Sequence, residues 1–530
     1  MTKYLRFTLL LITLISVHSY GQYIPLDNVY YDRIMQKYQS ENMTILSSMK
    51  PLLLQEMDSV FEISDVLYKV PGDSKNKNTF VYRKLFTENL FSYTTKDFSI
   101  TADPVFNFGL GYETKEPKNT WINTRGIAVT GLLGNSFSFS TTIYETQAVF
   151  ATWPDSAIRT LGVVPGQGGY KGFKENGVDY FNSSGYVSYS PLQYINITMG
   201  YGKNFIGEGY RSMLLSDASF NYPYFKFTGN FKKVKYTVLY NQLIDRSARS
   251  DLYGYDRKWS TMHYLQVLLW GRLNVGLFDA IVWENADTSG YRGFDVQYLN
   301  PVILLRPVEE SFGSPDNALV GATFSVRINK HYTIYGQLIL DEFKLEHVKA
   351  NDGWWANKYG YQLGISGWNL LNITALNARL EYNQARPYTY SHSSTIESYG
   401  HFNQPLAHPM GANFRELVAM ASYTRGNWMA NLKMNIAMYG VDTAGKDFGK
   451  NVFIPYDNRV SEFGNEIGQG LKTNLTIADA SISYLLNRRT NMRIEFGIST
   501  RHEANAHHDK QMFYIFGGIK TGLRNIYYDF

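Results

Sequence analysis

Two polar, aromatic-rich stretches hold the side chains best suited to ligand chemistry. Residues 202–221 carry Lys203, Asn204, Glu208, Tyr210, Arg211 and Asp217 among Gly202, Gly207 and Gly209. Residues 245–259 carry Arg246, Arg249, Tyr253, Tyr255, Arg257, Lys258 and Trp259 beside Asp245, Asp251 and Asp256, a net charge of +1. Flat rings stack on sugar faces, and forked donors and acceptors grip hydroxyls and carboxylates. That chemistry is polysaccharide recognition. The candidate binding set is Lys203, Asn204, Glu208, Tyr210, Arg211, Asp217, Arg246, Tyr253, Tyr255 and Trp259. Each stretch also has a plainer reading. Residues 245–259 make a self-paired solvated rim, since exposed ion pairs are common and weak. Residues 202–221 fold into the protein interior and pair Arg211 with Asp217 or Glu208, because buried charges must be matched. A phosphate loop is excluded, as its glycines need a strand–turn–helix unit.

Other chemistries fail on spacing. His392-Ser393-Ser394 has the His-x-Ser spacing of outer-membrane phospholipases but lacks the Asn-Gly that follows there, and one His near one Ser is not a positioned pair. His502, Glu503, His507 and His508 crowd one connector without regular ligand geometry. Glu309-Glu310 are adjacent, so they do not face each other across a substrate. There is no cysteine, which removes disulfides and thiolate metal sites. The expectation is therefore no enzyme, no metal and no cofactor. A formal charge of +5 is too balanced to argue for nucleic acid.

These residues must be positioned by strands. From residue 104 onward the chain repeats about ten residues of alternating polarity and then a turn. Phe106, Phe108, Leu110 and Tyr112 alternate with Asn107, Gly109 and Gly111; Val320 to Ile328 and Trp428 to Met438 behave alike. A period of two puts one set on each face of a sheet. Here one face is apolar and the other carries Arg, Lys, Glu and Asn, as in a barrel with lipid outside and a polar interior. Strands are predicted at 104–113, 121–133, 136–147, 180–189, 193–201, 222–229, 234–244, 260–270, 274–284, 318–328, 332–342, 357–367, 371–383, 412–424, 427–439, 472–485, 491–501 and 511–523. That is eighteen antiparallel strands, an all-β transmembrane barrel.

The connectors support this reading. Eight short ones, such as Gly134-Asn135 and Arg425-Gly426, alternate with nine longer segments such as 148–179, 285–317 and 440–471. Antiparallel hairpins send alternate connectors to opposite rims, and outer-membrane barrels have short periplasmic turns and long surface loops. An even strand count places both termini in the periplasm. A soluble sandwich has no reason for such parity. Aromatics are 16% of the chain, with 42 Tyr and 32 Phe, which suits interfacial girdles. Interior charges are expected at Arg125, Glu145, Arg327, Asp341, Arg379, Glu381, Arg493 and Glu495, and segment 285–317 is expected to fold back into the barrel.

The first 96 residues differ. Residues 1–21 read as a signal peptide, with Lys3 and Arg6, an apolar run from Phe7 to Val17, and Ser19-Tyr20-Gly21. Residues 22–96 form a periplasmic helical plug. Asp27 and Asn28 can cap a helix to about Gln39 with Tyr31, Met35 and Tyr38 on one face, Pro51 opens a second over 51–61, and Thr79 to Phe91 gives a third with Val81, Leu85 and Leu90. Residues 97–530 are the barrel. At its end Ile526, Tyr528 and Phe530 alternate, resembling the signal read by the bacterial barrel-assembly machinery.

The long stretch Gly202-Lys203-Asn204-Phe205-Ile206-Gly207-Glu208-Gly209-Tyr210-Arg211-Ser212, with Leu214-Leu215-Ser216-Asp217 and Asn221-Tyr222-Pro223, resembles the Wzi family of capsule-assembly outer-membrane proteins. Asn123-Thr124-Arg125-Gly126, Glu145-Thr146-Gln147, Val164 to Gly168 and Tyr298-Leu299-Asn300-Pro301 support it. The likeness looks closest to the Bacteroidetes gliding-motility, RemB-like branch and runs from about Tyr23 to Phe530. It implies an eighteen-stranded barrel with a helical plug and a lectin-like role: holding capsular or other extracellular polysaccharide at the outer membrane, with adhesion or gliding as further roles. The implied partners are surface polysaccharide, outer-membrane lipid and the assembly machinery. The alternative is a channel for a small solute or oligosaccharide.

Overall fold

The computed structural model describes residues 21–58, 63–68, 79–250, 254–287, 290–305, 307, 316–443, 445–522 and 524–530. The signal-peptide reading (residues 1–21, all but Gly21) lies outside them, as do residues 59–61 of the second predicted helix, Asp251, Tyr253, Glu309 and Glu310. Eighteen antiparallel strands close into one barrel. They are β1 Phe98–Glu113, β2 Lys118–Leu133, β3 Phe137–Val149, β4 Gly177–Leu192, β5 Ile195–Gly202, β6 Tyr222–Phe231, β7 Val234–Ser250, β8 Gly254–Leu269, β9 Leu273–Glu284, β10 Asn317–Arg327, β11 Tyr332–Glu342, β12 Lys358–Gly367, β13 Leu376–Ala385, β14 Phe414–Arg425, β15 Trp428–Val441, β16 Leu471–Asn487, β17 Met492–Ala504 and β18 Asp509–Lys520. Closure comes from β18 on β1, in register from Tyr514 opposite Glu113 to Lys520 opposite Asn107. No helix among the described residues is long and apolar enough to cross a membrane.

Alternation works as the sequence predicts. In β6, Tyr222, Tyr224 and Lys226 are buried toward the lumen while Pro223 and Phe225 face out. Each predicted strand has its counterpart, and the differences lie at the ends. Strands β7 and β8 run on to Ser250 and from Gly254, so most of 245–259 is a tall hairpin and not a loop. Strand β13 starts at Leu376 because Leu371, Asn372 and Ala375 turn with positive φ.

The lumen is filled. Helix α1 (Asn28–Ser40), N-capped by Asp27 Oδ1 on Val29 N at 2.9 Å, lies across the short-turn mouth. Its Gln36 donates to Asn369 Oδ1 and Tyr30 to Arg489 O, both on short turns. Ile34, not Met35, completes the buried face with Tyr31 and Tyr38. Helices α2 (Leu54–Asp58) and α3 (Ile63–Tyr68) pack beside it; α2 begins three residues after Pro51. Helix α4 (Phe80–Phe86) is shorter than predicted, and its Val81 and Leu85 are exposed instead of buried. From the long-loop side, residues 203–221 and 386–413 descend to meet the N-terminal segment, where Met49-Lys50 pairs with Phe205-Ile206. The main apolar cluster, including Ile206, Leu214, Met262, Tyr390 and Leu406, is therefore inside the cylinder. A residual cavity of about 600 Å³ remains along the β14–β18 wall.

Three expectations are corrected. Strand β18 ends at Lys520, and the last residues turn back into the lumen, where Asp529 is 3% exposed. So the C-terminal tail folds into the lumen, and the alternation at Ile526, Tyr528 and Phe530 does not continue a strand. Segment 285–305 does not enter the barrel, whose interior is already occupied. It packs on the outer wall, where Phe294 and Tyr298 cover outward-facing Trp259, Ile281 and Trp283. Arg125 and Glu145 are not interior either: their side chains are 54% and 49% exposed on the outer face. Their lumenal neighbours are Thr124 and Tyr144, both buried.

Candidate functional site

The first candidate stretch is a lumenal plug. Arg211, 2% exposed, is held by Glu416 Oε1 at 2.9 Å and Asp529 Oδ1 at 3.1 Å. Glu416 Oε2 also takes a hydrogen bond from His408 Nε2 at 2.8 Å, and Asp529 Oδ2 takes one from Tyr210 and one from Lys433, each at 2.7 Å. The backbone N–H groups of Tyr210 and Arg211 donate to the Glu381 carboxylate at 2.8 and 3.0 Å. Burial by itself would raise the Asp529 carboxyl, but the Arg211 guanidinium and then the Lys433 ammonium outweigh it and hold it below the ordinary range. Glu208 accepts from Ser47 and Ser48, both at 2.7 Å. Asp217 accepts from Tyr527 at 2.8 Å and Asn525 at 2.9 Å, Lys203 donates to Asp217 O at 2.8 Å, and Asn204 Oδ1 takes Lys226 at 3.3 Å. The interior reading of this stretch describes the geometry. Its partners are Glu416 and Asp529, from other parts of the chain, in place of Asp217 or Glu208.

The second stretch splits. Arg246 donates to Gly162 O and to the Tyr255 hydroxyl, both at 3.1 Å, and lies over the Phe402 ring. Trp259 faces the outer wall and donates to Asn285 Oδ1 at 2.8 Å. They do not converge on the plug residues. Among the histidines, His392 pairs with Glu397, His502 with Asp509 and His508 with Glu503.

A third group, unread in the sequence, sits on the long-loop rim. After β11, helix α6 (Leu345–Ala350; α5 is Thr152–Leu161) ends on left-handed Asn351, and Asp352 Oδ1 accepts from Trp354 N at 3.0 Å. Gly353, at φ +68°, lets the backbone of 464–465 approach so closely that a Cβ would clash with it. Trp355 N donates to Glu462 O and Asn465 N to Gly353 O, both at 2.9 Å, tying this connector to the one between β15 and β16. Trp354 stacks on His347 at 4.4 Å with Lys344 Nζ 4.8 Å from its centroid. Trp355 meets Tyr456 at 4.7 Å, and the Arg459 guanidinium lies 4.2 Å from the Trp355 ring. Phe463, 52% exposed, closes the cluster against His347. Glu462 pairs with Arg459, whose Nε has no hydrogen bond. Phe463 offers open ring surface, Trp354 and Tyr456 are half-buried and Trp355 is buried behind them; exposed ring beside forked donors and carboxylates is what sugar recognition needs. The legible signal was the Trp354-Trp355 pair in a connector.

The neighbouring rim carries a pH-sensitive group. Asp447 is buried, its Oδ1 accepting from Gly449 N at 2.7 Å and its Oδ2 unpartnered. Burial pushes its carboxyl up to about 7, with the Gly449 N–H opposing and Asp442 adding to the rise. A raised carboxyl favours the folded loop fully below the unfolded pKa of ~3.9, and this is lost as pH climbs through about 7. Exchange protection of residues 445–451, corrected for intrinsic rate, is expected to fall between pH 5 and 8 by at most about tenfold per pH unit. Asp447→Asn should flatten that dependence.

No family model matches the chain, and no curated protein matches it. Among solved structures it is similar to Wzi of Escherichia coli, described as an outer-membrane protein involved in group 1 capsule assembly and a carbohydrate-binding β-barrel. The TM-score is 0.58 at 13% identity, over 95% of this chain and all of that one. OprD of Pseudomonas aeruginosa matches at TM-score 0.40 and 11% identity over 81% of this chain and 96% of its own. OpdK of the same organism matches at 0.43 and 8% over 80% and 98%. The chain thus has a Wzi-like fold, a closed eighteen-stranded outer-membrane barrel with a filled lumen.

Proposed function

We propose that this chain is a non-catalytic outer-membrane protein that binds and anchors surface polysaccharide through its long-loop rim. In this reading the long loops face the cell exterior and the short turns the periplasm. The observation that carries it is the rim cluster of Phe463, Trp354 and Tyr456 beside Lys344 and Arg459, backed by buried Trp355 and mounted over a lumen filled from both sides. A carbohydrate-binding barrel of like fold is consistent with it. Capsule retention is the primary role, with adhesion or gliding as the further roles of the branch resembled in sequence.

A deletion strain is expected to shed polysaccharide into the medium while cell-bound polysaccharide falls; unchanged partition between the two fractions would refute anchoring. The second reading is a channel, favoured by the cavity lined by Lys433, Asp479, Glu495 and Ser499. At its upper end Arg501 sits 3.4 Å from the centroid of the Trp153 ring. Steady conductance of the purified protein in a planar bilayer would support that reading over the first.

A further inference from the structure

Among the described strands, ionisable side chains face outward midway along the barrel wall at two places. One is His263 with Asp279, 3.2 Å apart on β8 and β9 and both fully buried. Protein covers it: Leu305 N donates to Asp279 Oδ2 at 3.0 Å, Thr261 to Tyr298 O at 3.2 Å, and Tyr236 to Pro301 O at 2.5 Å. Segment 285–305 is the cover.

The other place is bare. Arg125 stands seven residues from one end of β2 and eight from the other. At about 3.3 Å per residue and a tilt near 40°, that is roughly 18–20 Å from either end, well inside an apolar band about 25 Å tall. Its ion-pair partner among the described residues is Glu145, directly opposite on β3, at a loose 3.9 Å. Beside them and toward the short turns the wall is apolar and open, with Phe181 59% and Ile127 48% exposed, while toward the long loops Asn123 and the Gln147–Asp179 hydrogen bond at 3.2 Å follow. Ionised groups in that position are costly in hydrocarbon and call for a partner.

We propose that the outer face of β1–β4 is the interface of a two-fold dimer of this chain, in which the Arg125 of each copy meets the Glu145 of the other. Ladder partners lie at nearly the same depth. A two-fold axis along the membrane normal keeps depth and exchanges the copies, so the pair is self-complementary by construction. Any other protein would have to supply its own acid and base at that level. Phe181, Ile127 and Ile143 provide the apolar surround.

The test places a photo-reactive residue, Ile143→p-benzoylphenylalanine, in the full chain and irradiates native outer membranes. An adduct of twice the chain mass is expected. Arg125→Glu should cut its yield roughly tenfold, the equivalent of about 1.4 kcal/mol, and R125E/E145R should restore it. Heat-modifiable migration checks that each variant is folded. An adduct of another mass assigns the face to a different protein, and no adduct from a folded barrel assigns it to lipid. Either overturns the proposal, as does a dimer yield indifferent to Arg125→Glu in a folded variant.

Discussion

Arg211→Met is expected to destabilise the filled barrel by about 3–5 kcal/mol, the cost of stranding buried carboxylates without their cation. Glu416 and Asp529 both depend on that guanidinium, and neither can reach water, being 1% and 3% exposed. Lys433 still neutralises Asp529, so Glu416 bears most of the loss. The readout is the temperature at which the folded form converts to the slow-migrating unfolded one, which should drop sharply. R211M/E416Q should recover part of the loss by removing the stranded charge. An unchanged transition in Arg211→Met would mean that the lumenal ions contribute nothing to cohesion.

The second large effect concerns ligand retention. Phe463→Ala and Trp354→Ala should each weaken polysaccharide binding about threefold to tenfold, the range expected from ~0.5–1.5 kcal/mol per aromatic contact. The double variant should shed most of the polysaccharide while its barrel stays folded. Lys203→Gln provides the contrast: Lys203 points into the plug, at 2.8 Å from Asp217 O, so retention should remain near that of the unaltered chain. If Lys203→Gln sheds polysaccharide and the rim variants do not, the binding face is the plug and not the rim.

Strand number and order were legible because a period of two with turns is a local signal, written in each ten-residue stretch. The helix from Asp27 was legible for the same reason. What alternation cannot say is which face a polar pair takes when neither face is uniformly apolar. Arg125 and Glu145 read as interior on polarity, yet their neighbours Thr124 and Tyr144 hold the lumenal side. Segment 285–305 has the apolar residues either to enter the barrel or to clothe it. The decision lay with residues 203–221 and 386–413, which fill the lumen. The partners of Arg211 were illegible for a related reason: Glu416 and Asp529 lie 205 and 318 residues away in the chain. The rim cluster depends on two connectors joined by backbone hydrogen bonds that no single-segment pattern reveals.

The tail after β18 couples two events that would otherwise be separate. Asp529 reaches Arg211 because the strand before it has zipped onto β1, with Thr521 N donating to Phe106 O at 2.9 Å just past the seam. An unclosed cylinder leaves the guanidinium without that counter-ion. The ionic lock in the centre is thereby tied to the seam: its Asp529 arm is in place where the last staves of the cask are joined.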